Sequence, residues 1–455
     1  MKELRILSPQ GMLGYGYPME SLENGLQEQP HAISVDAGST DGGPHRLGKG
    51  VGGVSRYATK KDLKPLVLAA KRLNIPLFIG SCGGSGANCR VDWMMDILTE
   101  LAEEEDLQLS VALIYADINQ QWLLQKWEDD CVKPCGSAPP LTKEAITQST
   151  ALVGQMGVEP YLTVFNEKVD IIISGRTYDP VMTAALPLFY GMDPGLSWHM
   201  GKILECGAIA AEPGTAKDGM MGIIRDDHFL VRPLNPNRAC TVQSVSAHTL
   251  YEKTHPYHLP GPGGMLDLAQ CTFTQYDERT VRVDGSRFIP SSSYEIKIEG
   301  VRPVGYRTVL VAGVRDPIFI EQIDHVMEKV KMEVADYFPE LKAKQASLHS
   351  LHYGQNGVMG EREITFGHPH ELGIVIEVIA KTQELADSIC AFVRSLLMHY
   401  DYEGRISTAG NLALPFSPPE LSGGQVFTFS VYHTVQVESP LELFPIKKRT
   451  IGGRR

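Results

Sequence analysis

The stretch PLFIGSCGGSGAN, residues 76–88, decides the fold reading: the apolar run Pro76-Leu77-Phe78-Ile79 stops abruptly at a loop of glycines and small polar residues. A short buried strand, a glycine turn and then an amphipathic pattern is the grammar of a βα unit in a parallel sheet. The same pattern recurs on both sides. Ile33-Ser34-Val35 runs into Asp36-Ala37-Gly38-Ser39-Thr40-Asp41, and Val111 to Tyr115 stops at Asp117. Ile171-Ile172-Ile173 stops at Ser174-Gly175-Arg176-Thr177-Tyr178-Asp179, and Leu4 to Leu7 leads into Gly11-Met12-Leu13-Gly14. Between these runs the period is helical. Lys60 to Leu73, Asn88 to Glu104 (capped by Asn88), Thr142 to Met156 and Leu196 to Ala211 each repeat apolar residues at three and four. Residues 1–215 are therefore expected to form an α/β domain on a Rossmann-like parallel sheet, with the strand at 171–174 its last.

The pattern changes after 215. Met220 to Pro236 reads as a hairpin, and 216–290 as an irregular, β-rich connecting segment with little periodicity. In 291–455, strands at 293–298, 307–314, 348–353 and 372–379 alternate with helices at 317–337 and 382–399. That order predicts an α+β, ferredoxin-like domain.

Composition removes several function classes. With 43% hydrophobic and 21% charged residues the 455-residue chain is an ordinary globular one, long enough for two or three domains. Its net charge of −12 opposes nucleic-acid binding, which needs a basic field. No apolar run approaches the roughly 20 residues of a membrane span. The eight cysteines follow no disulfide spacing, so a cytoplasmic location is expected.

Loops after successive parallel strands share one edge of a sheet, so their chemistry is expected to converge on one pocket. Gly83, Gly84, Ser85 and Asn88 can present backbone N–H groups and a helix N-terminus to an anion. Arg176 can fork onto a ligand carboxylate, with Ser39, Thr40, Asp117, Tyr178 and Asp179 as further binding candidates. Asp36 and Asp41 are candidate acid–base groups, or ligands for a hard cation such as Mg²⁺. Glu205, embedded in Ile203-Leu204-Glu205-Cys206-Gly207-Ala208, is the boldest candidate, because burial would raise its pKa towards neutrality. His248, His255 and His258 match no zinc spacing, and no G-x-S-x-G elbow supports a serine hydrolase.

The pieces ISGRTYDP (173–180), ILECGA (203–208) and GRISTAGNLALPFSP (404–418) together resemble the acyclic terpene utilisation family typified by AtuA. After Ala208 the chain departs from the usual continuation, reading Ile-Ala-Ala-Glu-Pro. The resemblance implies catabolism of branched acids as coenzyme A thioesters, and a small companion protein as a partner. Two readings stand: an enzyme, with lyase or hydro-lyase chemistry on a small anionic molecule or acyl-CoA, or a noncatalytic ligand-binding or scaffold subunit. The cofactor is left unknown, and self-association stays open.

Overall fold

The computed structural model describes residues 3–252, 254–365, 367–406 and 409–453. The chain divides into two compact units, Met1–Arg302 with Phe429–Arg455, and Pro303–Thr428 between them. Of the GRISTAG motif, Ser407 and Thr408 lie outside the described residues.

Unit 1 is built on one large mixed sheet. Across it, among the described residues, run Thr272–Gln275, Val281–Asp284, Phe229–Pro233, Met220–Ile224, Leu4–Ser8, Ala32–Asp36, Leu77–Gly80, Ile171–Ser174, Gln108–Ile114 and Ile446–Gly452. The five strands from Leu4–Ser8 to Gln108–Ile114 are mutually parallel, as the repeated strand-and-loop pattern requires. Their side chains alternate between two cores. Leu77 and Ile79 enter one with Leu63, Leu66, Met94 and Leu98, whereas Phe78 enters the other with Tyr161, Val181 and Met200. Helices therefore cover both faces, and the strands can be apolar throughout. The strand Ile171–Ser174 is not the last of the sheet, as expected, but is inserted between Leu77–Gly80 and Gln108–Ile114. Its apolar-on-both-sides sequence, Ile-Ile-Ile, suits that central position.

Three local expectations are corrected by long-range pairing. The helix expected over 142–156 is only Lys143–Thr147, capped by Thr142. Ala151–Gly154 is instead a strand, antiparallel to the first part of Glu295–Val314. The two strands expected at 293–298 and 307–314 are one continuous strand, Glu295–Val314. The segment 216–290 holds more than the hairpin. Thr241 and Ser244 form a capping box on the helix Val242–Thr249, two strands extend the large sheet, and His258–Gly261, Gly264–Asp267 and Arg287–Pro290 form a small sheet of their own. This segment belongs to unit 1.

Unit 2 begins inside Glu295–Val314 and ends inside Glu420–Gln436. Between these come the helix Pro317–Tyr337, the strands Ala346–Tyr353 and Leu372–Ala380 and the helix Gln383–His399. The strand order is second, third, first, fourth in chain sequence. Leu372–Ala380 alternates buried and half-buried residues, and Ile374, Ile376 and Val378 meet Ile323, Val330, Ile389 and Val393 of the two helices. No helix among the described residues is long and apolar enough to cross a membrane.

Candidate active site

Hydrogen bonds tie the loops at the carboxyl edge of the parallel strands to one another. Leu13 N donates to Asp36 O, Gly84 N to Ala37 O, Ser81 N to Gly175 O, and Arg176 N to Gly86 O. Four strand-end loops thus share one edge, as their position predicts. Glycine makes this packing sterically accessible. A Cβ on Gly86, which holds φ +69°, would stand 2.3 Å from Arg176 N. Gly86→Ala is expected to cost at least about 2 kcal/mol of stability, from the positive φ and from the displaced backbone. A melting temperature equal to that of the unaltered protein would show the close approach to be unimportant.

The interlocking engages two of the N–H donors of the expected anion cradle, those of Gly84 and Asn88. Gly84 N is already bonded, Gly83 O accepts from Arg90 Nε at 3.1 Å, and Asn88 N donates to Asp117 Oδ1 at 2.8 Å. The chain's own Asp117 therefore occupies the N-terminus of the helix Asn88–Glu104. Asn88 does not cap that helix. Ala87 is its N-cap, and Asn88 Oδ1 accepts from Ala116 N and Asp117 N. Ser85 is fully buried, and its Oγ has no hydrogen-bond partner among the described residues.

Arg176 is the largest fully buried side chain among the described residues. Its Nε donates to Glu299 Oε2 at 3.1 Å, and one terminal nitrogen to Asp179 Oδ1 at 2.9 Å and Thr177 O at 3.1 Å. Two protein carboxylates thus take the place expected for a ligand's. Burial opposes the guanidinium charge, but Glu299 and then Asp179 outweigh it and hold the proton more firmly. Glu299 is the converse case. Burial alone would raise it, yet Arg176 and Lys297 pull it down to about 2, with the Thr40 hydroxyl also bonded to it.

Glu205 is buried, and Lys202, one turn earlier and also buried, donates to its Oε1. Its Oε2 has no partner among the described residues. Burial outweighs Lys202 and lifts Glu205 to about 8, with Asp179 adding to the rise. Lys202 stays charged, since Glu205 more than offsets its own burial, and Glu252 stands 3.6 Å from its ammonium. Asp36, at the end of its strand, is raised well above the usual carboxylate range by burial and by Asp179, with Arg176 opposing. Its Oδ1 accepts from Gly38 N at 3.2 Å.

Asp36, Asp179, Glu205 and Arg176 thus lie within electrostatic reach of one another. Tyr178 joins them: burial and then Glu205 push its hydroxyl up. Asp41 also acts on Arg176, but from the solvent side. It is exposed and accepts from the Ser39 hydroxyl at 2.6 Å, while Ser39 Oγ accepts from Asp41 N, a closed turn within the loop. Cys206 beside Glu205 is no activated thiolate, because burial and then Glu205 push its thiol up. No group of three or more His, Cys, Asp or Glu that could hold a metal occurs among the described residues.

Two participants escape a reading by motif. Gln10 follows the first strand and is fully buried, with neither amide atom partnered among the described residues. Its only signal is an amide in the first strand-end loop. Glu299 alternates with Ile296 and Ile298, which period two assigns to an outward face. Residues 83–407 match the family model described as Acyclic terpene utilisation family protein AtuA. No curated protein and no solved structure matches the chain.

Proposed function

Since the chain belongs to the acyclic terpene utilisation family, we propose that it is a catabolic enzyme moving a proton beside the carbonyl of a small carboxylate or acyl-CoA thioester, in lyase or hydratase chemistry. One observation carries this reading: Glu205, buried and lifted to about 8, holds one carboxylate oxygen against Lys202 and leaves the other without a partner among the described residues. A carboxyl group that titrates near neutrality and keeps an unoccupied oxygen can take and return a proton. Asp36, raised in the same cluster, is the second proton carrier, and Tyr178 is a candidate substrate contact beside Glu205. Arg176 acts as a positioning residue that fixes Asp179 and Glu299. The ferredoxin-like reading of Pro303–Thr428 is supported by its strand order, whereas the Rossmann-like reading of the parallel core rests on helices covering both faces, its strands running first, second, third, fifth, fourth.

The test is incubation of the purified chain in heavy water with a panel of saturated, 2-enoyl and 3-hydroxyacyl thioesters of coenzyme A and free hydroxy acids. It is run with and without Mg²⁺, and mass spectrometry reads deuterium at the carbon beside the carbonyl. Deuterium uptake or hydration of one class is the expected result. Stabilisation by a thioester with neither exchange nor hydration would instead favour a ligand-binding subunit that acts with a companion protein.

A further inference from the structure

The carboxyl-edge cluster engages its own cations: Arg176 is held by Glu299 and Asp179, and Lys202 by Glu205. Lys297 is differently placed. It lies in the unit 1 part of Glu295–Val314, stands 2.8 Å from Glu299 Oε1, donates to the Tyr432 hydroxyl at 2.8 Å and lies 4.0 Å from the centre of the Tyr432 ring. An ammonium carries three hydrogens, more than the Tyr432 hydroxyl takes. Lys297 and Gln155 are in the wall of a cavity of about 530 Å³ lined wholly by unit 1 residues. Glu295, also in its wall, is already engaged by Lys133 at 3.0 Å.

The rest of the cavity is chiefly apolar. Pro260, Pro262, Met265, Ile289 and Pro290 form its walls, from the small sheet and its turns. A volume of this size with a few polar groups in its wall is that of a small-molecule site. Its wall also backs onto the acid cluster: a side chain on Gly261 would meet the Tyr178 ring at 2.7 Å. Apolar walls reject a fully polar ligand, and the Lys297 ammonium in the wall selects one that carries an oxygen acceptor.

We propose that this cavity binds the acyl part of the substrate, an apolar carboxylate or its thioester, with the carbonyl or carboxylate oxygen on Lys297 and the chain along Pro260, Met265 and Ile289. The proposal rests on the reading of unit 1 as an acyl-group enzyme, and says where the acyl group lies and which cation reads it. Lys297 thereby takes the part that the sequence assigned to Arg176.

The experiment is calorimetry with octanoate, acetate, 1-octanol and octylamine on the full chain and on two variants. Ile289 is half exposed at the cavity wall, so Ile289→Trp fills the space without disturbing a core. Octanoate is expected to bind at least about tenfold more tightly than acetate or octylamine, and Ile289→Trp to weaken it by about tenfold or more at an unchanged melting temperature. Lys297→Met should weaken octanoate and leave octanol as it was. Equal affinity for acetate and octanoate, no octanoate binding, or indifference to both substitutions would overturn the proposal. Octanoate binding that persists in a chain without deuterium exchange counts against the catalytic reading alone. Exchange on short thioesters without octanoate binding counts against the cavity alone.

Discussion

Replacing Glu205 by glutamine is expected to abolish turnover of the acyl substrate, a loss of at least about a thousandfold, while the protein stays folded at neutral pH. The amide keeps the shape and the acceptor oxygen facing Lys202 but cannot carry a proton. At neutral pH the folded Glu205, lifted to about 8, is mostly protonated, so glutamine imitates its resting form. Glu205→Ala is the contrasting case, because it removes the acceptor from a buried ammonium. The same shift sets a pH dependence of stability. An unfolded glutamate gives up its proton near 4.5 and the folded one near 8, so between these values the unfolded state binds fewer protons. Stability therefore falls as pH rises through this window and levels off above it, by an amount on the order of 4–5 kcal/mol for this group. Melting curves between pH 4 and 9 should show the decline, flattened but not removed in Glu205→Gln, since Asp36 titrates with the same sign. A Gln variant with full activity and an unaltered pH profile would reduce Glu205 to a packing residue.

The largest stability loss is expected at Arg176. Arg176→Met leaves Glu299, fully buried, with Lys297 as its remaining cation, and frees Asp179 from its partner. Breaking a buried pair by removing one member costs about 3–5 kcal/mol, because the other charge stays desolvated. Arg176→Lys should recover only part of this, since one ammonium cannot reach both Glu299 and Asp179 as the guanidinium fork does. Urea titration at pH 7 measures both. A midpoint change equivalent to less than about 1 kcal/mol in Arg176→Met would mean that the network contributes little.

The parallel core was legible because each of its strands carries its own punctuation. Ile79 before Gly80 and Ile173 before Ser174 end runs that no helix period explains, and the loops that follow pack on one edge. Helices with strong local signals, Asn88–Glu104 and Pro317–Tyr337, have the boundaries read from their periodicity. What escaped depends on partners distant in sequence. Ala151–Gly154 is a strand because Ile298 to Val301 lies beside it, and nothing within 142–156 announces that neighbour. The place of Ile171–Ser174 between two earlier strands is equally silent locally. In the site, residue types were legible and pairings were not. Arg176 was marked as a cation after a strand, but its insertion in the middle of the sheet buries it among carboxylates supplied in part by residue 299. Glu205 was legible as a glutamate in an apolar run, and only the packing shows that Lys202, one turn earlier, is buried with it.

The strand Ile446–Gly452 runs antiparallel to Gln108–Ile114 along its whole length. A ribosome releasing this chain exposes residues 108–114 about three hundred residues before the strand that covers them, and late closure of so distant a pair is slow. Through that interval Leu109, Val111 and Leu113 belong to a bare sheet edge, open to pairing with another nascent chain. Residues 446–452 then form the sheet edge themselves, and Lys447, Lys448 and Arg449 guard it with charge. A chain cut before residue 446 is therefore expected to associate through the uncharged edge it leaves bare.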